Sequence, residues 1–147
     1  MTEPPPLTMR EILMTDHELL EQFEQLTLPL ECLRHPEHVR IAYLYLTKLP
    51  VLEALQTFSA ALKSFAAAHG KASLYHETIT WAYIFLIHER MARSEKARDW
   101  DEFARNNADL LTWKDGILTR FYKEETLSSD MAKRIFIFPD RTIEQRP

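Results

Sequence analysis

The chain has 147 residues, a length that one hydrophobic core can serve, burying roughly 70% of the unfolded surface. Two glycines are too few for the many tight turns of an all-β fold, which need positive φ. A net charge of −4 and a pI near 5.9 argue against a protein that tracks a nucleic-acid backbone with a basic face. Cys32, the single cysteine, excludes both an internal disulfide and a CxxC metal site.

In chain order, residues 1–8 hold three consecutive prolines and read as a flexible lead-in, with 9–147 as one helical domain. The opening residues lack the basic and apolar regions of a secretory signal. The longest strongly apolar stretch, 79–87, falls well short of the ~20 residues that span a bilayer. The expectation is a soluble, cytoplasmic protein with neither a membrane nor a nucleic acid as partner.

Thr15 and Glu18 have capping-box spacing, and Leu19, Leu20, Phe23 and Leu26 follow at helical intervals, predicting a first helix that stops before Pro29. A second begins around Pro36 and runs through Val39, Ile41, Ala42, Leu44 and Tyr45 to about Lys48. Pro50 opens a third, carrying Leu52, Leu55, Phe58, Leu62 and Phe65, with Gly70 as its left-handed stop. Ser73 caps a fourth over about 74–92. Asp99 and Glu102 repeat the capping pattern for a fifth around 100–106. Short helices near 113–122 and 129–134 precede an extended apolar tail, 135–138, ended by Pro139. Without internal repeat or boundary, the pattern predicts an all-α, single-domain, compact helical bundle around a buried central helix at about 74–92.

That fourth helix is apolar nearly all round, the mark of burial on most sides. His76, Thr80 and Tyr83 share one face at i, i+4, i+7, and Glu77, Trp81, Ile84 and His88 share the adjoining one. A buried carboxylate and imidazole need partners. They find them in one another and in helix ends on a structural reading, or in a ligand on a functional one. A second cluster, His35-Pro36-Glu37-His38-Val39-Arg40, sets two histidines three apart at a helix start, a spacing compatible with metal chelation or anion binding. Imidazoles with a carboxylate suit zinc, iron or manganese.

These segments carry a resemblance. His35-x-x-His38-Val39-Arg40, then Gly70 ahead of Tyr75-His76-Glu77-Thr78-Ile79-Thr80, then Leu118-x-x-Phe121-Tyr122, Leu127-x-Ser129 and Phe138-Pro139-Asp140 are similar to a family of small bacterial helical proteins of unassigned function. That family's pattern reads HxxHLR, YHETIT, LxxYY, LxS and PD. Val39 replaces the family's leucine and Phe121 its first tyrosine. The resemblance spans most of the chain, from His35 to Asp140. It implies that the two histidine-bearing segments belong to one site, and it implies no activity.

Three functional classes follow. In the leading one, a small enzyme or enzyme-like domain acts on a small organic molecule between the second and fourth helices. His35, His38, His76 and Glu77 would hold a divalent metal (iron, zinc or manganese), or His76 and Glu77 would act as a metal-free catalytic acid/base pair. Arg40, Thr80 and Tyr83 would contact the substrate. The second class is a non-catalytic ligand-binding or regulatory module using the same pocket. The third is an interaction protein with structural histidines and an apolar tail that binds a partner.

Overall fold

The computed structural model describes residues 14–94 and 97–141; the expected lead-in at 1–8 lies outside them. Among the described residues the fold is all-α, with seven α-helices and no strand. The order is α1 (Asp16–Glu24), α2 (His35–Lys48), α3 (Val51–Ala68), α4 (Glu77–Arg93), α5 (Trp100–Asn106), α6 (Glu124–Leu127) and α7 (Asp130–Arg134). Single 3₁₀ turns at Leu30–Cys32, Ala72–Leu74, Ala108–Leu111 and Ile117–Arg120 link them.

Local chemistry sets most helix ends. The Thr15 hydroxyl accepts the Glu18 N–H at 3.1 Å and Asp99 accepts that of Glu102 at 2.9 Å, each satisfying a donor that the first turn leaves orphaned. Ser129 caps α7 through the Ala132 N–H at 3.1 Å. α3 ends in a Schellman motif, with Gly70 N–H on the Ala67 carbonyl at 3.0 Å and Lys71 N–H on that of Ala66 at 2.7 Å. Gly70 stands at φ +67° with nothing near its absent Cβ. Backbone conformation alone therefore demands glycine there.

α2, α3 and α4 pack mutually, with α1 against the first two and α7 against α4. The core runs from Leu19, Phe23 and Leu28 through Ile41, Phe58 and Phe65 to Ile84, Ile87, Leu110 and Tyr122. α4 is the central element, but it is not buried all round. Ile84 and Ile87 are fully inaccessible, whereas Phe85 is 38% exposed; a side chain one position along is turned about 100° around the axis, onto the solvent face. Trp81 is half-buried and stacks on Phe136 at 5.2 Å.

The start of α4 also departs from the sequence reading. Ser73 lies in the 3₁₀ turn, Tyr75 is extended, and the helix begins at Glu77 with His76 as its cap. Downstream, the helix expected over 113–122 reduces to the single turn at 117–120.

The 135–138 tail is extended and lashed to α4. The Thr78 hydroxyl donates to the Ile135 carbonyl at 2.8 Å and accepts the Ile137 N–H at 3.1 Å. Tyr122 donates to the Ile137 carbonyl at 2.6 Å. Asp140 then accepts the Lys123 N–H at 3.0 Å and the Thr126 hydroxyl. Much of the family-like C-terminal pattern is thereby scaffold: Tyr122, Ser129 and Asp140 hold backbone.

Ile84→Ala and Ile87→Ala should each cost about 2–5 kcal/mol through loss of buried volume; a denaturation midpoint within a few tenths of a kcal/mol of wild type would contradict the central role of α4. Thr78→Val keeps the shape and removes both tail hydrogen bonds. It should cost about 1–3 kcal/mol and speed hydrogen exchange at the Ile137 amide. An unchanged exchange rate there would mean the tail is held by other contacts.

Candidate functional site

The starts of α2 and α4 flank a cavity of about 500 Å3. Val39 and Ala42 of α2, Phe58, Leu62 and Phe65 of α3, and Ile79 of α4 form much of its apolar wall. His35, His38, His76, Thr80 and Tyr83 all line it, with Lys71, Tyr75, Trp113 and Lys133. The two histidine segments thus meet at one space, and the i, i+4, i+7 face of the central helix looks into it.

Each imidazole is held differently. The Nδ1 of His76 accepts the Ile79 N–H at 3.1 Å, capping α4. Its Nε2 lies 2.7 Å from the Leu127 carbonyl. An acceptor needs a donor, so Nε2 carries the proton and His76 is a neutral ring with both nitrogens committed. The Nε2 of His35 lies 2.8 Å from the Leu110 carbonyl and must likewise be protonated. The His35 ring meets Tyr83 edge-on at 4.9 Å and tilts against Trp113 at 5.2 Å.

Burial is the largest influence on all three rings, and it favours the neutral form. It pulls His38 down to about 4, helped by the nearby His35, with the Leu33 carbonyl opposing. Burial also lowers His35 against the pull of Leu110, and lowers His76 against that of Leu127, with Lys133 adding to the depression of His76. The Tyr83 hydroxyl is pushed up to about 12, first by burial and then by Asp109. At neutral pH these three rings and the Tyr83 hydroxyl are therefore uncharged polar groups in the cavity wall.

Two expected members are elsewhere. Arg40 bonds Asp16 through Nε at 2.8 Å and through a terminal nitrogen at 2.6 Å, and also reaches the Met14 carbonyl at 3.0 Å. It ties the start of α1 to α2, does not line the cavity, and is corrected from substrate contact to structural clamp. Glu77 accepts the Tyr75 hydroxyl at 2.6 Å and the indole N–H of Trp81 at 3.0 Å. That carboxylate does not line the cavity either; Tyr75 and Trp81, not His76, supply the donors it accepts.

The expected metal set of His35, His38, His76 and Glu77 is not assembled. Among the described residues no three His, Cys, Asp or Glu side chains converge as metal ligands. The reason is chemical as well as geometric: His76 has no lone pair left to give, and Glu77 is held by its two donors.

Sequence reasoning missed the mouth of the cavity. Lys71 follows the stop of α3, Lys133 lies in α7, and Trp113, 57% exposed, leans over His35. The Trp113 loop is closed by the Gly116 N–H on the Trp113 carbonyl at 3.1 Å. A Cβ on Gly116 would sit 2.5 Å from the Thr112 carbonyl oxygen, so this close backbone approach requires glycine. A second glycine in a glycine-poor chain is the one sequence signal that could have marked this loop. No described helix is long and apolar enough to cross a membrane.

No family model, curated protein or solved structure matches the chain. The family resemblance accordingly rests on its motifs.

The His38 depression predicts a pH dependence. Below the unfolded value of about 6.5 the unfolded chain takes up a proton that the folded ring refuses, so stability falls as pH drops. The loss is complete near pH 4, where the folded ring protonates. At about 1.4 kcal/mol per pH unit, His38 alone contributes about 3 kcal/mol across that window. Urea denaturation at pH 7, 6 and 5 should show His38→Gln with a shallower decline than wild type. Parallel declines would show that His38 is not held neutral.

Proposed function

We propose that this chain binds a small organic molecule in the histidine-lined cavity, as a cytoplasmic ligand-binding or regulatory module. One observation carries the reading: an accessible space of about 500 Å3 with mostly apolar walls and a few convergent polar groups. Small-molecule sites span roughly 300–1,000 Å3 with this same composition. The motif resemblance supports the reading too, because HxxHVR and YHETIT both contribute side chains to the wall. The cytoplasmic part rests on composition: a chain with one cysteine, forming no internal disulfide, suits a reducing compartment.

A catalytic version of the site is less favoured. An imidazole with a pKa of about 4 is a poor general base at neutral pH, where the efficient base has a pKa near ambient. His76 is committed on both nitrogens and Glu77 is turned to Tyr75 and Trp81. What remains is hydrogen bonding to a ligand, not proton transfer.

The reading is tested by titrating the protein with neutral apolar probes, indole, cyclohexanol and 1-naphthol, followed by NMR of the histidine rings. At least one probe should shift His38 and Thr80 signals and raise the melting temperature by mass action. Ala66→Trp, which fills the cavity from α3, should abolish both effects while the protein stays folded. Shifts confined to the shallower groove beside Phe85 and Phe136, or binding undiminished in the Ala66→Trp variant, would refute it.

A further inference from the structure

The charged groups at the cavity are all of one sign. Lys71 and Lys133 line it, and among the described residues no Asp or Glu does. Both lysines are exposed, and neither takes part in an ion pair among the described residues. No lysine among the described residues forms an ion pair; what sets these two apart is their place on a cavity with no acidic lining residue, in a chain whose carboxylates outnumber its lysines and arginines, 22 to 18. The two lysines also come from separate elements, one after the stop of α3 and one in α7. Only the fold brings them to the lining of one cavity. Behind them lie the apolar walls and the neutral rings, so the cavity has a cationic rim and an uncharged interior.

We propose that the ligand of this cavity is a small organic acid, with an apolar body seated among Val39, Phe58, Leu62 and Ile79 and a carboxylate at the mouth held by Lys71 and Lys133. This rests on the ligand-binding reading above and adds the chemical class. An anion at the rim keeps most of its hydration while its tail leaves water, which avoids the cost of burying charge. An ammonium in the same place would meet two like charges, and a neutral ligand would gain nothing from the lysines. A dianion sunk deeper would meet rings held neutral and pay for desolvation. A monoanionic amphiphile with its charge at one end fits both zones.

The test compares octanoate, octan-1-ol and octylamine, which share a chain and differ in head-group charge, by calorimetry at pH 7.5 with NMR of the histidine rings. Octanoate should bind about tenfold tighter than octanol, the scale expected of two partly exposed ion pairs, and octylammonium should bind weakest. Salt should erode the octanoate advantage. The Lys71→Gln/Lys133→Gln double variant should bring octanoate down to the affinity of octanol. If octanol matches octanoate in the wild type and both shift the His38 signals, the acid class is overturned and the ligand-binding reading survives. If none of the three shifts a ring signal, both fall together.

Discussion

The imidazole of His76 spans two jobs that polypeptide backbone usually divides. Its Nδ1 receives the Ile79 N–H and so starts α4, while its Nε2 donates to the Leu127 carbonyl, 51 positions along the chain. The first bond sets the residue at which the central helix begins, and the helical period sets the phase of the side chains that follow. Thr80 and Tyr83 face the cavity, Ile84 and Ile87 the core, and Phe85 the solvent because of that phase. The second bond docks α6 onto the helix start. A serine or aspartate could cap the helix equally well, but an ionised aspartate has no donor and a serine would have to accept and donate through one short-armed oxygen, whereas the imidazole does so from two nitrogens on opposite sides of the ring.

From this start the fold is tied along its length by side chains reaching backbone. Thr78, fully buried in the first turn of α4, holds the tail at Ile135 and Ile137. Tyr122 meets the same tail from the other side, and Asp140 returns the chain to the start of α6. On the opposite flank Arg90 joins α4 to Asn107 and Asp109 at 2.6 to 3.0 Å. These links explain how short elements such as α6 and α7, too small to be stable alone, hold a defined position. They also separate the motif residues into two kinds. Those after Leu118 build the frame together with Arg40, Glu77 and Thr78, and His35, His38, His76 and Thr80 line the space within it.

The parts of the fold legible in the sequence were those governed by local rules. Thr15, Asp99, Ser129 and Gly70 act where their side chains or conformational freedom suggest, since a cap bonds within its own turn. The face shared by His76, Thr80 and Tyr83 was equally legible, because helical phase follows from spacing alone. What failed was partner choice across the fold. Arg40 sits within the HxxHVR motif but pairs with Asp16, 24 residues earlier. Glu77 is satisfied by Tyr75 and Trp81, both near in sequence, yet Thr78, Thr80 and His76 in the same stretch also carry donors and nothing in the spacing ranked them. The start of α4 was misjudged for a related reason: Ser73 and His76 both precede the helix, and histidine is the less common cap. Lys71 and Lys133 carry no local signature at all, since their significance lies in converging from distant segments.

Neutral imidazoles and lysines divide the cavity in a way that neither could achieve alone. Lining an apolar space with carboxylates or ammonium groups would cost several kcal/mol per unpaired charge, and lining it only with aliphatic side chains would leave a ligand free to rotate. Histidine with a depressed pKa supplies hydrogen-bonding atoms without charge, and anchoring one nitrogen of His35 on Leu110 fixes the tautomer and leaves the other as the acceptor. The same choice would make occupancy by the proposed ligand sensitive to acid. Protonation of His38 would put a cation in a desolvated wall, and whatever drives it in must offset the burial that holds the ring near 4. An anionic head at the rim would lessen that cost by attraction, whereas a neutral occupant would leave it whole. On the proposed reading, the charge at the mouth and the neutrality inside are one arrangement, in which the rim would choose the ligand's head group and the interior would keep its polar atoms at low electrostatic cost.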